Sequence, residues 1–167
     1  MAKLKNVLLL FGLFLSFAAG ILPAIESDIK SLSGGVGVID LEYYYTPARV
    51  FYMLQSYGPE GIHLYIIAQW SADLIFPLVG GFFLANLLVF SGAERFYVLG
   101  VAVTLIDWIE NVFISILLLK YPVFDEQTAW LSCICTSSKW ILFFSSILIS
   151  ILFLIKRLAV KQVQLKV

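Results

Sequence analysis

Apolar residues run almost without interruption through four stretches of this chain, and polar residues collect between them. The first run, residues 6–25, follows Lys3 and Lys5. Ser16 and Ala18 give it the look of a secretory signal, but its length suits a retained membrane span. Gly12, Ser16, Gly20 and Ala24 recur at four-residue spacing and make one helix face narrow enough for another helix to approach. A second span is predicted over 61–90, closed by the turn Ser91-Gly92-Ala93-Glu94-Arg95. The third, over 96–119, is antiparallel to it because that turn is short. The fourth, over 129–155, ends at Lys156-Arg157 and leaves a tail at 156–167. Residues 26–60 are too many for a plain connector. Within them Thr46 is suited to cap a helix, Pro47 to open it, and Gly58-Pro59 to stop it after Tyr57. The pattern predicts a single all-α domain: a four-helix transmembrane bundle, left-handed by default, with a short external interfacial helix between the first and second spans.

Composition agrees. Hydrophobic residues are 61% of the chain and charged ones 13%, against about 45–50% and 25% in soluble domains. Eleven bases cancel eleven acids, so no overall field draws nucleic acid, and the lipid bilayer is the first partner. Position sorts these charges. The termini and the second turn carry Lys3, Lys5, Arg95, Lys156, Arg157, Lys161 and Lys166 against Glu94, whereas the opposite side is net acidic. The positive-inside rule then places both termini in the cytoplasm of a cell (inner) membrane protein.

The external segment is rich in tyrosine, and Tyr43, Tyr44, Tyr45, Phe51, Tyr52 and Tyr57 suit the headgroup level. Tyr45, Arg49, His63 and Tyr65 are candidates for a lid or gate over the bundle, with Arg49 free to face lipid phosphate or to fold inward.

Ionisable groups at membrane depth are costly and call for a named partner. Asp73 falls in the second span, Asp107 and Glu110 in the third, and Lys139 in the fourth. Counted at a rise of about 1.5 Å per residue from the cytoplasmic ends, all four agree in depth to within about two helical turns. In the third span Gly100, Thr104, Asp107, Asn111 and Ser115 share one face, with Glu110 on its edge. In the second, Gln69, Asp73, Pro77 and Gly80 share a face, and Pro77 frees the carbonyl of Asp73 from its helical hydrogen bond. Turning these stripes inward, together with Lys139, Ser146 and Ser150, spares polar groups from lipid. The resulting cluster of Asp73, Asp107, Glu110, Lys139, Asn111 and Gln69 carries two uncompensated negative charges if every member ionises. An apolar interior does not tolerate that; a carboxylate takes a proton or a cation arrives.

Other signals are weaker. Cys133 and Cys135 are two apart on a helix and point to nearly opposite sides, which argues against a disulfide. His63 is the single histidine, so no metal is assigned, although oxygen ligation of a hard cation by the three acids stays open. No phosphate loop, hydrolase elbow or zinc-protease motif is present, and no cofactor is assigned. The serines of the fourth span have no histidine to activate them and suit bonding back to their own helix.

Tyr45-Thr46-Pro47, Gly58, Gly61, Tyr65, Asp73, Pro77, Asp107, Glu110-Asn111, Tyr121-Pro122 and Lys139-Trp140 together resemble a group of small, uncharacterised four-helix integral membrane proteins of prokaryotes. In that group an Arg often follows the second Gly, where this chain has Ile62. The resemblance implies the fold and implies that the polar cluster belongs together, but no activity. Three functions fit. The leading one is an intramembrane site for a small lipophilic or cationic molecule, with proton-transfer chemistry as an enzymatic version. An ion or proton transporter would need a homo-oligomer joined through the small-residue face of the first helix. An accessory subunit of a larger membrane complex would use the same face, its polar cluster only fixing helix register.

Overall fold

The computed structural model describes residues 3–164, with side chains through residue 160. Helices α1 (Leu4–Ser16) and α2 (Leu22–Leu32) form one continuous rod through a π turn at Phe17–Ile21. The first apolar helix thus extends past residue 25 to Leu32. Pro23 lies in the first turn of α2, where its missing N–H is tolerated.

Helix α3 spans Pro47–Gln69, and the Thr46 hydroxyl caps it by accepting the Arg49 amide at 3.3 Å. Gly58, at φ 61°, interrupts it where the sequence predicts a stop, and the helix resumes at Pro59. Only glycine adopts that backbone without strain. Val50, Met53, Leu54 and Tyr57 are buried at helical spacing, so the short segment before Gly58 packs on the bundle rather than only resting at an interface.

The second span differs from its expected form. Its helix is not continuous over 61–90 but breaks at Trp70 and Ser71, and α4 (Ala72–Ser91) restarts there. Pro77 strains the ladder of the turn before it, and side chains of α5 (Val98–Lys120) bond the α4 carbonyls around it. Asn111 donates to the carbonyl of Asp73 at 3.1 Å, as the position of Pro77 predicts. Trp108 donates to the carbonyl of Leu74 at 3.1 Å, and Thr104 to that of Pro77 at 2.8 Å. Gly92, left-handed at φ 97°, closes α4. Helix α6 (Glu126–Gln164) begins at the Asp125 cap, earlier than residue 129. It continues through Lys156-Arg157; the side chain of Lys161, and Lys166 with the rest of the tail, lie outside the described residues.

The chain is therefore all-α, with no strand among the described residues. Four stretches, Leu4–Leu32, Pro47–Ser91, Glu94–Lys120 and Glu126–Val160, are long and apolar enough to cross a membrane. Exposed Leu8, Phe82, Leu105 and Ile141 give them a surface for lipid. Helix α5 packs along both α4 and α6. Its seam with α4 is close at Gly81 and Gly100: a Cβ on Gly100 would lie 2.5 Å from the Gly81 carbonyl oxygen. Two apolar cores flank a polar layer. One holds Ile39, Tyr45, Tyr57, Ile114 and Cys133 at the end that carries the 33–46 loop. The other holds Val7, Phe83, Leu84 and Val103 nearer the chain termini.

The small-residue face of the first helix does not contribute to this packing. Gly12, Ser16, Gly20 and Ala24 are exposed, and a Cβ on Gly12 or Gly20 would meet nothing within 4 Å.

Candidate functional site

Between the two cores, α5 and α6 bring three ionisable side chains into contact. Lys139 Nζ lies 2.6 Å from Glu110 Oε2 and 3.5 Å from Asp107 Oδ1. Glu110 is completely buried, and Lys139 and Asp107 nearly so. A pair this deep holds only while both partners are present, because either charge alone would be stranded in an apolar interior.

Behind Glu110 runs a chain of hydroxyls. Thr136 donates to Glu110 Oε1, the Tyr45 hydroxyl lies 2.8 Å from Thr136 Oγ1, and Ser132 bonds Tyr45 in turn. Burial, with the Glu110 carboxylate next in weight, pushes the Tyr45 phenol well above its ordinary range, so it keeps its proton and remains a donor. Tyr45 therefore supports the acid from behind, which is a different place from a lid.

On the other side of Lys139 and Asp107 lies a cavity of about 210 Å³. Asp40, Asp73, Asp107 and Lys139 line its polar part, with Glu26, paired to Lys30 at 2.7 Å, at its edge, and Phe14, Phe76, Pro77, Trp140 and Phe143 line its apolar part. Asp73 Oδ2 is buried with no hydrogen-bond partner, as is Trp140 Nε1. A neighbouring space of about 30 Å³, about one water's worth, shares Asp40 and Asp73 and reaches Gln69, whose Oε1 is likewise buried and unpartnered.

The predicted cluster is thus brought to one level of the bundle. Asp107, Glu110 and Lys139 touch; Asp73 borders the same cavity; Asn111 holds the Asp73 backbone; Gln69 lies on the adjoining space. Tyr65 is buried too, but its hydroxyl donates to Asp40 Oδ1 and accepts the Ile39 amide at 2.8 Å. Two candidate gate residues do not join. Arg49 places its guanidinium on Glu42, at 2.6 Å, outside the bundle, because an exposed acid lies within its reach and the polar layer does not. His63 is exposed on α3.

Asp40 is the member that sequence reasoning missed. The short 3-10 turn Ile39–Leu41 carries it into the bundle between α2 and α3, where it is almost fully buried. A loop has no periodicity from which such burial can be read. The signal that points to it is Tyr65, a buried phenol that needs an acceptor.

Among the described residues no three acids, histidines or cysteines converge closely enough to hold one metal ion. Cys133 is buried and accepts the Tyr45 amide at 3.5 Å. Ser146 and Ser150 bond back to their own helix at 2.7 and 2.8 Å, as expected of serines without an activating base, whereas Ser137 donates instead to the Tyr43 carbonyl of the loop at 2.9 Å.

Set against protein-family models, curated proteins and solved structures, the chain matches none of them.

Proposed function

We propose that this protein binds a small lipophilic cation in the intramembrane cavity, with Asp73 and Asp107 as its counter-charges. The observation that carries this reading is Asp73 Oδ2, buried on the cavity wall without a hydrogen-bond partner. Charge counting supports it. Glu110 and Lys139 offset one another at 2.6 Å, which leaves Asp40, Asp73 and Asp107 around the cavity with only a shared claim on that lysine. A cation entering the space offsets part of this surplus where water is scarce. Size points the same way. An apolar cavity of about 150 Å³ holds benzene, so about 210 Å³ suits one ring, or a short chain with an amine. Orientation with both termini in the cytoplasm belongs to the same proposal and rests on the distribution of Lys and Arg.

N,N-dimethylbutylamine and its uncharged isostere 2-methylhexane test the reading. The amine is expected to raise the melting temperature of the detergent-solubilised protein, the isostere to raise it much less, and Asp73→Asn to remove the difference. Equal stabilisation by both would refute a cation site.

Transport and accessory roles both require a second chain at the exposed Gly12–Ala24 face. Crosslinking through Ser16→Cys, in a background lacking Cys133 and Cys135, separates them from the first reading: dimers or partner adducts in native membranes favour a joined assembly, and a monomer favours the binding site alone.

A further inference from the structure

The cavity has two walls that are not otherwise packed together. Phe14, Ala18 and Leu22 come from the first helix, Trp140 and Phe143 from α6, and all five are only half-buried. Helix α1 packs along α4 but has no comparable seam with α6. Phe14 and Phe143 stack where the two walls meet, with ring centroids 6.0 Å apart. At the loop end the cavity is bordered by the buried Asp40, tied to Tyr65, by the half-buried Glu26, and by the exposed Pro23 and Leu41. The wall of half-buried aromatic and aliphatic side chains between the first helix and α6 faces sideways, toward the hydrocarbon of the bilayer. The π turn at Phe17–Ile21 lies on this wall, and such turns interrupt the helical ladder and recur at functional sites.

Resting on the reading of the cavity as a cation site, we propose that its ligand is a single-chain amphiphile with an amine head. The ammonium sits against Asp73 and Asp107, and the hydrocarbon tail parts the Phe14–Phe143 contact and leaves between the first helix and α6 into the lipid. Three observations combine here. The cavity holds only about one ring's worth of atoms, so a larger ligand must extend out of it. The wall between the first helix and α6 is apolar, which suits a tail and not a hydrated head. Asp40, Asp73 and Asp107 repel phosphate, which separates an amine head from the phosphate-bearing head of a common phospholipid.

The test is photolabelling of the full-length protein in phosphatidylcholine nanodiscs. The probe is a twelve-carbon N,N-dimethylalkylamine with a diazirine in mid-chain, and N,N-dimethylbutylamine is the competitor. Label that the short amine displaces is expected on residues 14–22 and 140–147, falling at least about tenfold in Asp73→Asn. Displaceable label on the 33–46 loop, or elsewhere on α4 and α5, would leave the amine site standing and overturn the lateral exit. If the short amine displaces no label at all, the cation site itself fails and this proposal with it.

Discussion

At the scale of single residues, the balance of charge around Lys139 dominates. Lys139 faces Glu110 at 2.6 Å and Asp107 at 3.5 Å in an almost fully buried layer. Removing one partner of such a pair strands the other. Lys139→Met is therefore expected to cost about 3–5 kcal/mol in unfolding free energy. The double variant Glu110→Gln, Lys139→Met should recover a large part of that loss, since it removes both charges together. Denaturant unfolding in micelles measures both, and equal destabilisation by the single and double variants would show that the ion pair does not govern the site. Of these residues, Asp73, Asp107, Glu110 and Lys139 were legible in the sequence, because a charge inside an apolar run stands out and helical rise fixes its depth. Asp40 was not, because its burial comes from a loop turn and from Tyr65, 25 residues away. Arg49 had two possible directions, and only Glu42, on the same exposed side, decides between them.

Among the elements, close packing and end caps decide. The α4–α5 seam places Gly100 where a Cβ would lie 2.5 Å from the Gly81 carbonyl oxygen and 2.7 Å from the Ala85 amide. Gly100→Ala must push the helices apart, at an expected cost of about 1–3 kcal/mol in unfolding free energy, and it should disturb the Asn111 hold on Asp73 as well. At the start of α6, the Thr128 hydroxyl, with the Gln127 and Thr128 amides at 3.2 Å, holds the Asp125 carboxyl below the usual carboxylate range. A lowered folded-state value means that this cap stabilises fully above the ordinary aspartate pKa of about 3.9 and is lost as the pH falls through the folded-state value. The melting-temperature gap between wild type and Asp125→Ala should accordingly be widest at neutral pH and close in acid below about pH 4; a gap independent of pH would contradict the cap. Sequence pattern located four helices and the Thr46 cap. It missed the break at Trp70–Ser71, because no glycine or proline marks it, whereas the carbonyl that Pro77 frees at Asp73 is taken up by Asn111 as the pattern predicts.

For the whole molecule, two apolar cores hold a polar layer between them, and the first helix packs on α4 without a comparable seam to α6. Its glycine face had been read from spacing as a packing surface, yet spacing cannot say which helix, or which chain, does the packing. Gly12→Ala is expected to raise stability by about 0.5–1 kcal/mol, the ordinary helical gain, since the added methyl meets nothing. A loss in the isolated monomer would place that face inside the fold. The cavity was legible in the sequence only as a surplus of negative charge; its walls, open side and bare Asp73 oxygen needed three helices and a loop in place. Whether a cation meets that oxygen can be read from the carboxyl group itself, by the infrared difference spectrum of the protein in nanodiscs with and without N,N-dimethylbutylamine. The account predicts a perturbed carboxyl band that disappears in Asp73→Asn. A spectrum in which the bound amine leaves every carboxyl band unchanged, or one that is identical in the variant, would contradict it.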